Sequence, residues 1–122
     1  MREEIKNIIS GASDDQIDLG EMEIKDDEMA EIMQFIVQSR PQLKALFLNN
    51  NLISDTGAKA ISLGLPSLKQ LSRLDLQANQ IGKEGLQAIY SLKNEETKLA
   101  IHGNKIGDNA VLEEIKKAAF RK

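Results

Sequence analysis

The amino-acid sequence predicts an α/β solenoid of about four repeating units, each with one short strand and one helix. The main observation is the segment Leu71–Ile81, in which leucines occupy the first, fourth and sixth positions and an asparagine the ninth. The two-residue spacing of Leu74 and Leu76 places both side chains on one face of a strand, which a helical stripe would not do. The segment Leu43–Ile53 repeats the whole pattern. A strand–helix pattern with a period in the twenties is typical of repeat proteins whose units stack into one continuous core.

The first unit is a weaker copy of this pattern. Residues Ile17–Leu19 alternate as a strand does, and a helix is predicted to follow, with Asp26 or Asp27 as its cap. This helix is predicted to end at Arg40, which precedes a proline and therefore disfavours the helical region. Its apolar stripe comprises Met29, Ile32, Met33, Ile36 and Val37. A short amphipathic helix over Arg2–Ser10 is predicted to cover this first repeat.

The helices of the two middle units are bounded by capping and breaking residues. Ser54 or Asp55 is predicted to cap the second helix, and Gly64 and Pro66 are predicted to end it. Gly82 is predicted to lead into the third helix. The predicted buried positions are Ala58, Ala60, Ile61 and Leu65 in the second helix, Leu68 in the connection, and Leu86, Ile89, Tyr90 and Leu92 in the third helix.

The fourth unit keeps the strand and the turn over Leu99–Ile106, but Glu96 stands where the first leucine belongs. Asp108 is predicted to cap a last helix. The apolar face of that helix comprises Val111, Leu112, Ile115, Ala119 and Phe120. We therefore expect a single domain over 1–122, with a capping helix at 1–13 and repeats near 14–41, 42–69, 70–94 and 95–122.

An asparagine follows the strand in three of the four units, at Asn51, Asn79 and Asn104. A tight turn leaves backbone groups unpaired inside a solenoid, and a side-chain amide has both the donors and the acceptor to satisfy them. The sequence therefore predicts a structural ladder of asparagines. Met22 takes this position in the first unit and cannot serve in the same way. The strand positions predicted to point inward are Leu46, Leu48, Leu74, Leu76, Leu99 and Ile101, with Ile53, Ile81 and Ile106 at the bends.

Residues 43–61 and 71–89 resemble the ribonuclease-inhibitor-like subclass of leucine-rich repeats. The strand consensus is followed in both by a helix start with small residues, Asp55-Thr56-Gly57-Ala58 and Lys83-Glu84-Gly85-Leu86. The resemblance implies a short right-handed horseshoe of leucine-rich repeats. It places a parallel sheet on the concave face and helices on the convex face. It also implies a role in holding other proteins.

On such a solenoid, the residues between the inward leucines face the concave surface. The predicted partner-binding residues are Asp18, Phe47, Asn49, Arg73, Asp75, Gln77, Lys98 and His102, with Gln16, Gly20, Ala45 and Ala100 on the same face. Phe47, flanked by Asp18 and Asp75, has the character of a binding anchor, and the alternative is that it packs against its neighbours. Arg73 and Asp75 are predicted either to form a surface ion pair or to contact the charges of a partner.

The remaining sequence features argue against several classes of function. There is no cysteine, and His102 is the single histidine without a recognisable catalytic or metal-binding set around it, so no enzyme activity, cofactor or metal is expected. The net charge of −3 disfavours nucleic acid as a partner. The chain has neither a membrane-spanning run nor a secretory signal at its start, so we expect an intracellular, cytoplasmic protein, with export as an effector left open.

Three functions are compatible with these features. The first is a protein-interaction module that uses the concave sheet. The second is an accessory GTPase-activating role, because Ran GTPase-activating proteins use the same repeat subclass. The third is a structural capping or self-stacking element, for which tropomodulin-type actin caps show that short arrays can serve filaments. The charge is uneven: eleven acidic and three basic residues lie between Met1 and Ile32, but three acidic and six basic residues lie between Lys98 and Lys122. This asymmetry would steer a partner or favour head-to-tail stacking, and the alternative is a solvated surface without a role in binding. We expect a monomer or weak self-association.

Overall fold

The computed structural model describes residues 1–106 and 109–120. These residues form four strands and five α-helices that alternate after the first helix. The strands are β1 (Ile17–Asp18), β2 (Ala45–Phe47), β3 (Arg73–Asp75) and β4 (Lys98–Ala100). The helices are α1 (Glu3–Gly11), α2 (Asp26–Ser39), α3 (Asp55–Gly64), α4 (Lys83–Leu92) and α5 (Asn109–Phe120), with a short 3₁₀ turn at Leu65–Ser67. All strand pairs are parallel, in the order β1-β2-β3-β4.

The sheet register confirms the repeat period read from the sequence. Ile17, Leu46, Leu74 and Leu99 lie side by side on the four strands, at the same position of each unit. The first three are fully buried, and Leu99 is half-buried. Leu48 and Leu76 are also fully buried, whereas Ile101 and Ile106 of the fourth unit are half-buried. The core is therefore a stack of equivalent apolar side chains that is most complete in the first three units.

The helices bury the predicted apolar stripes with a few differences. Met29, Ile32, Met33, Ile36, Ala58, Ile61, Leu65, Leu68, Leu86, Ile89 and Ile115 are buried, and Val37, Ala60 and Tyr90 are half-buried. The prediction that Leu92 lies inside was wrong. It is the last residue of α4 and is 37% exposed. Of the residues predicted for the last helix, Asp108 lies outside the described residues, as do the side chains of Val111, Leu112, Ala119 and Phe120.

The helix caps come from the neighbouring repeat, which corrects two predictions. Asp26 does not cap its own helix: its Oδ1 accepts hydrogen bonds from the backbone N–H groups of Ser54 (2.7 Å) and Gly57 (3.0 Å), at the start of α3. Asp55 in turn accepts from Gly82 (2.7 Å) and Gly85 (2.9 Å), at the start of α4. A carboxylate is most favourable at a helix N-terminus, where N–H groups are unpaired and the dipole is positive.

The start of α2, the helix of the first described repeat, is capped by a different residue. Lys25 is the capping residue by position, and its backbone N–H donates to Oε2 of Glu28 at 2.9 Å. Glu28 also accepts from Nε of Arg2 at 2.8 Å. Asp27 therefore caps nothing in the part of the chain that the structure describes.

The predicted asparagine ladder is present, and each member also serves the preceding unit. Nδ2 of Asn79 donates to the carbonyl oxygens of Leu76 (3.1 Å) and of Leu48 one unit back (2.9 Å), while its Oδ1 accepts from the N–H of Ile53 (3.1 Å). Asn104 accepts likewise from Ile81 at 2.9 Å. The first unit needs no asparagine of its own at Met22, because Asn51 reaches back to it.

The turn before each ladder position has left-handed backbone geometry. The φ angles are +58° at Glu21, +58° at Asn50, +56° at Ala78 and +78° at Gly103. This conformation directs the next side chain into the solenoid. Only the glycine and the asparagine adopt it without appreciable strain.

Candidate functional site

The parallel register arranges the predicted concave residues in three rows across the sheet. The first row contains Ala45, Arg73 and Lys98, and the second contains Asp18, Phe47, Asp75 and Ala100. The third row contains Gly20, Asn49, Gln77 and His102, where the backbone pairing continues past the strands. Gln16 precedes β1 and is exposed. The structure thus brings the predicted binding residues of all four units onto one face.

Phe47 occupies the second row on β2, between Asp18 on β1 and Asp75 on β3. Its side chain is half-buried, and the guanidinium carbon of Arg73 lies 5.6 Å from the centre of its ring. This is a cation–π contact. Arg73 remains exposed, so Phe47 packs against a neighbour while the pair together still faces solvent.

The predicted ion pair between Arg73 and Asp75 is not present among the described residues. Asp75 is only 8% exposed, and its Oδ1 accepts a hydrogen bond from the backbone N–H of Gln77 at 3.0 Å. Asp18 makes the same local bond to the N–H of Gly20, at 2.9 Å. Both carboxylates therefore fix the end of their own strand, and the arginine turns to the aromatic ring instead.

The third row is polar. Asn49 is half-buried and donates from Nδ2 to Oδ1 of Asn50 at 3.1 Å. It lies across Gly20, where an added Cβ would come within 2.8 Å of the Asn49 amide oxygen. Gln77 is half-buried and His102 is exposed. Amides and an imidazole offer both donors and acceptors, so this row can hydrogen-bond to a partner's backbone.

Sequence reasoning missed a cluster around Tyr90, away from the sheet. The ammonium groups of Lys93 and Lys116 lie 5.6 Å and 5.9 Å from the centre of its ring. Burial raises the pKa of Tyr90, and Glu113 adds to this shift. Burial also lowers the pKa of Lys93. No spacing in the sequence brings Lys93 and Lys116 together, because they belong to different repeats.

Lys93 has a structural role at the start of the fourth unit. Its Nζ donates to the carbonyl oxygens of Asn94 (3.1 Å) and Thr97 (2.9 Å). Thr97 is buried and donates from Oγ1 to the carbonyl of Leu71 at 2.5 Å. The start of the fourth unit, which has Glu96 in place of a leucine, is therefore held by polar contacts.

Comparison with known proteins agrees with this geometry. The sequence model described as leucine-rich repeat matches residues 42–62 and 68–89, which are the two complete units. The chain folds as a leucine-rich-repeat solenoid. Among solved structures it is similar to a chain titled Leiomodin-1 Actin-Binding Site 2, with a TM-score of 0.73 and 23% sequence identity over 94% of this chain and 68% of that one. No curated protein matches the chain in sequence.

Two features are absent from the described part of the chain. No helix within it has the length and apolar character needed to cross a membrane. Its histidine, aspartate and glutamate side chains nowhere form a group of three or more placed to hold a metal ion.

Proposed function

We propose that this leucine-rich-repeat solenoid is a protein-interaction module, with no catalysis of its own, that holds a partner on its concave sheet. The observation that supports this most is the stack of Arg73 on Phe47 in the middle of the sheet. Aromatic side chains and arginine are enriched at the centres of interfaces. An arginine that is already oriented by a ring loses less side-chain entropy when it binds.

The charges around the stack suggest what kind of surface would fit. Arg73 and Lys98 are in register and exposed in the first row, whereas exposed Asp18 lies in the second. A partner would complement them with acidic groups over the first row and a basic group near β1. The full proposed set is Asp18, Phe47, Asn49, Arg73, Asp75, Gln77, Lys98 and His102. Nearly buried Asp75 contributes mainly by holding its strand end.

The test is capture of partners by the purified protein, with mass spectrometry to identify them. Phe47→Ala should abolish capture of the specific partner while changing the free energy of unfolding by less than about 1 kcal/mol, because the ring is only half-buried. Leu63→Ala is the matched control, since Leu63 is an apolar residue that is 76% exposed on the convex helix α3. Loss of the partner with Leu63→Ala but not with Phe47→Ala would place binding on the convex side.

Purified actin is the first defined partner to test, because the similar solved chain is titled an actin-binding site. Retention of actin by the wild-type protein and not by Phe47→Ala would identify it as a partner on the concave face. The ribonuclease-inhibitor-like subclass is part of the same proposal, since every described strand is followed by an α-helix.

The other two functions have separate tests. A GTPase assay with small G proteins that responds equally to the wild-type protein and to Arg73→Ala would reject an accessory GTPase-activating role for this arginine. Light scattering that gives the same monomeric mass at all concentrations would reject self-stacking.

A further inference from the structure

We propose that the groove between α2 and α3 on the convex face is a second interaction surface, which takes a basic amphipathic helix of another protein. The groove has a volume of about 460 Å³, and its two helices pack on α1 and on α4 at their other sides. Its α2 wall consists of Ala30, Met33, Gln34, Val37 and Gln38, which recur at helical spacing. This wall is about 12 Å long, which corresponds to about two turns of a docked helix.

The groove is open because the residues on its α3 side are small. Ala60 and Gly64 line it one turn apart. Met33 and Val37 of α2 lie close to Gly64: a Cβ added there would be 2.8 Å from Cε of Met33 and 3.5 Å from Cγ2 of Val37. The next helix, α4, ends with Leu92 at the position where α3 ends with Gly64. The opening is therefore a property of this pair of helices and not of every repeat.

Leu63 forms the outer wall of the groove on α3. Its side chain is the most exposed of the large apolar side chains in the part of the chain that the structure describes. Val37 and Ala60, which also line the groove, are half-buried. A partner that covers these three residues would remove apolar surface from water, which is favourable. Because Leu63 leaves one side open, the groove would cover a row of side chains and would not enclose a small molecule.

A helix is the element that matches this shape. An amphipathic helix presents apolar side chains every third or fourth residue, and such a row packs into the groove between two neighbouring helices. None of the residues that line the groove is charged. Gln34, Gln38 and Ser67 on its rim are exposed and can hydrogen-bond to polar groups beside the apolar row. The buried face of the occupant should therefore be apolar, with its charges on the flanks.

The charge around the groove favours a basic occupant. The helices α2 and α3 together contain five acidic residues and one basic residue, Lys59. Lys59 is paired with Glu84 of α4 at 3.5 Å. Asp27 is exposed, lies two turns before Gln34 on the same side of α2, and forms no ion pair within the described residues. A lysine or arginine on the flank of the docked helix would complement Asp27, with a strength that decreases as salt increases.

The chain itself does not offer such a helix among its first four. The apolar stripes of α1, α2, α3 and α4 are buried in the common core, so a second copy would have to unfold to present one of them. This favours a helix from a different protein as the occupant.

The experiment uses the full chain and a blocked, fluorescently labelled model helix with leucines along one face and lysines on both flanks. Fluorescence anisotropy measures its binding, and NMR chemical-shift changes should centre on the amides of Ala60, Leu63 and Gly64. Leu63→Ala should weaken binding by roughly five- to tenfold, because a leucine at the wall loses most of its apolar contact area. Phe47→Ala on the concave sheet is the control and should change binding by no more than about twofold, so the two surfaces can fail separately.

Charge reversal tests the basic character of the occupant. Asp27→Lys should weaken binding of the lysine peptide by about three- to tenfold. Asp14→Lys is the matched control: it changes the net charge equally, but exposed Asp14 lies before β1 and outside the groove. It should change binding by no more than about twofold. A peptide with glutamates in place of the lysines should bind at least fivefold more weakly to the wild-type protein.

Four results would overturn the proposal. Absence of saturable binding, or shift changes that spare Leu63 and Gly64, would exclude the groove as a site for a helix. Equal effects of Leu63→Ala and Phe47→Ala would exclude a separate convex surface. Equal binding of the lysine and glutamate peptides would exclude selection for a basic partner. Shift changes at Gly64 that grow with the concentration of the protein alone would assign the groove to a second copy.

Discussion

Replacement of Asn51 by leucine removes the member of the asparagine ladder with the most hydrogen bonds, while it keeps the number and branching of the side-chain heavy atoms. The amide oxygen of Asn51 accepts from the N–H groups of Met22 and Ile24, both at 3.0 Å. Its nitrogen donates to the carbonyls of Leu19 (2.9 Å), Leu48 (3.0 Å) and Asn49 (3.2 Å). Asn51 is only 5% exposed to solvent. The contacts with Ile24, Leu19 and Leu48 are buried, whereas those with Met22 and Asn49 are only partly buried.

The cost follows from the groups that would be left without a partner. The carbonyl of Leu48 keeps its bond from Asn79 at 2.9 Å, and the half-buried N–H of Met22 can reach water. The N–H of Ile24 and the carbonyl of Leu19 would be left buried without the hydrogen bonds that they make to the Asn51 side chain. Each such group costs about 1–3 kcal/mol. The added apolar burial of leucine offsets about 1–2 kcal/mol of this, so we expect a net loss of about 3 kcal/mol.

Urea denaturation followed by circular dichroism measures this loss. With a slope of about 2 kcal/mol per molar urea, a loss of about 3 kcal/mol lowers the midpoint by about 1.5 M. Asn49→Leu is the matched control, because Asn49 is half-buried and its side chain makes one hydrogen bond, to Asn50. It should cost less than about 1 kcal/mol. Equal losses for the two variants, or a loss below about 1 kcal/mol for Asn51→Leu, would refute the ladder as a source of stability.

Three further perturbations test other parts of the fold. Gly57→Ala places a Cβ 2.4 Å from a carboxylate oxygen of the preceding repeat and should destabilise the protein by about 1–3 kcal/mol. Gly11→Ala is the control and should be neutral, because nothing lies within 4 Å of its added Cβ. Equal effects of the two substitutions in thermal unfolding would contradict the close approach at Gly57. Ala78→Gly should raise the unfolding free energy by about 1 kcal/mol, since φ is +56° there, and a decrease would show that the turn is not strained. Absorbance titration should show a pKa of Tyr90, the single tyrosine, above its ordinary 10.0, because burial and then Glu113 disfavour the phenolate. Glu113→Gln should lower this pKa. The free energy of unfolding should decrease as pH rises beyond 10, since the tyrosine ionises first in the unfolded state.

The strands, the helices and the core could be predicted from the sequence because they depend on periodicity. A two-residue alternation followed by an asparagine fixes which side chains point inward, and the register of Leu46 with Leu74 confirms it. The spacing also predicted which residues share the concave face. It could not predict how Arg73 orients, because a ring on the neighbouring strand competes with a carboxylate on its own strand.

The helix caps were assigned to the wrong repeat for a related reason. Sequence rules for capping consider residues close along the chain, where Asp26 lies beside its own helix start. In the solenoid the nearest unpaired N–H groups in space belong to Ser54 and Gly57, 28 and 31 positions away. Gly57 is the one sign of this contact in the sequence, because the side chain of any larger residue would occupy the space of the Asp26 carboxylate.

The opposite directions of the asparagine and aspartate contacts have a consequence for how the chain folds. Asn51 completes the unit before it, and Asp26 completes the helix start of the unit after it. Neither of two adjacent units can then satisfy its buried polar groups alone, so a nucleus must contain at least a pair and growth adds whole units to it. In a one-dimensional chain of units, strong coupling of this kind produces a single cooperative transition. The third unit has Lys83 at the aspartate position, and an ammonium group cannot accept a hydrogen bond. The side chain of Lys83 therefore cannot form the same forward link, so we expect nucleation among the first three units and opening to begin at the fourth.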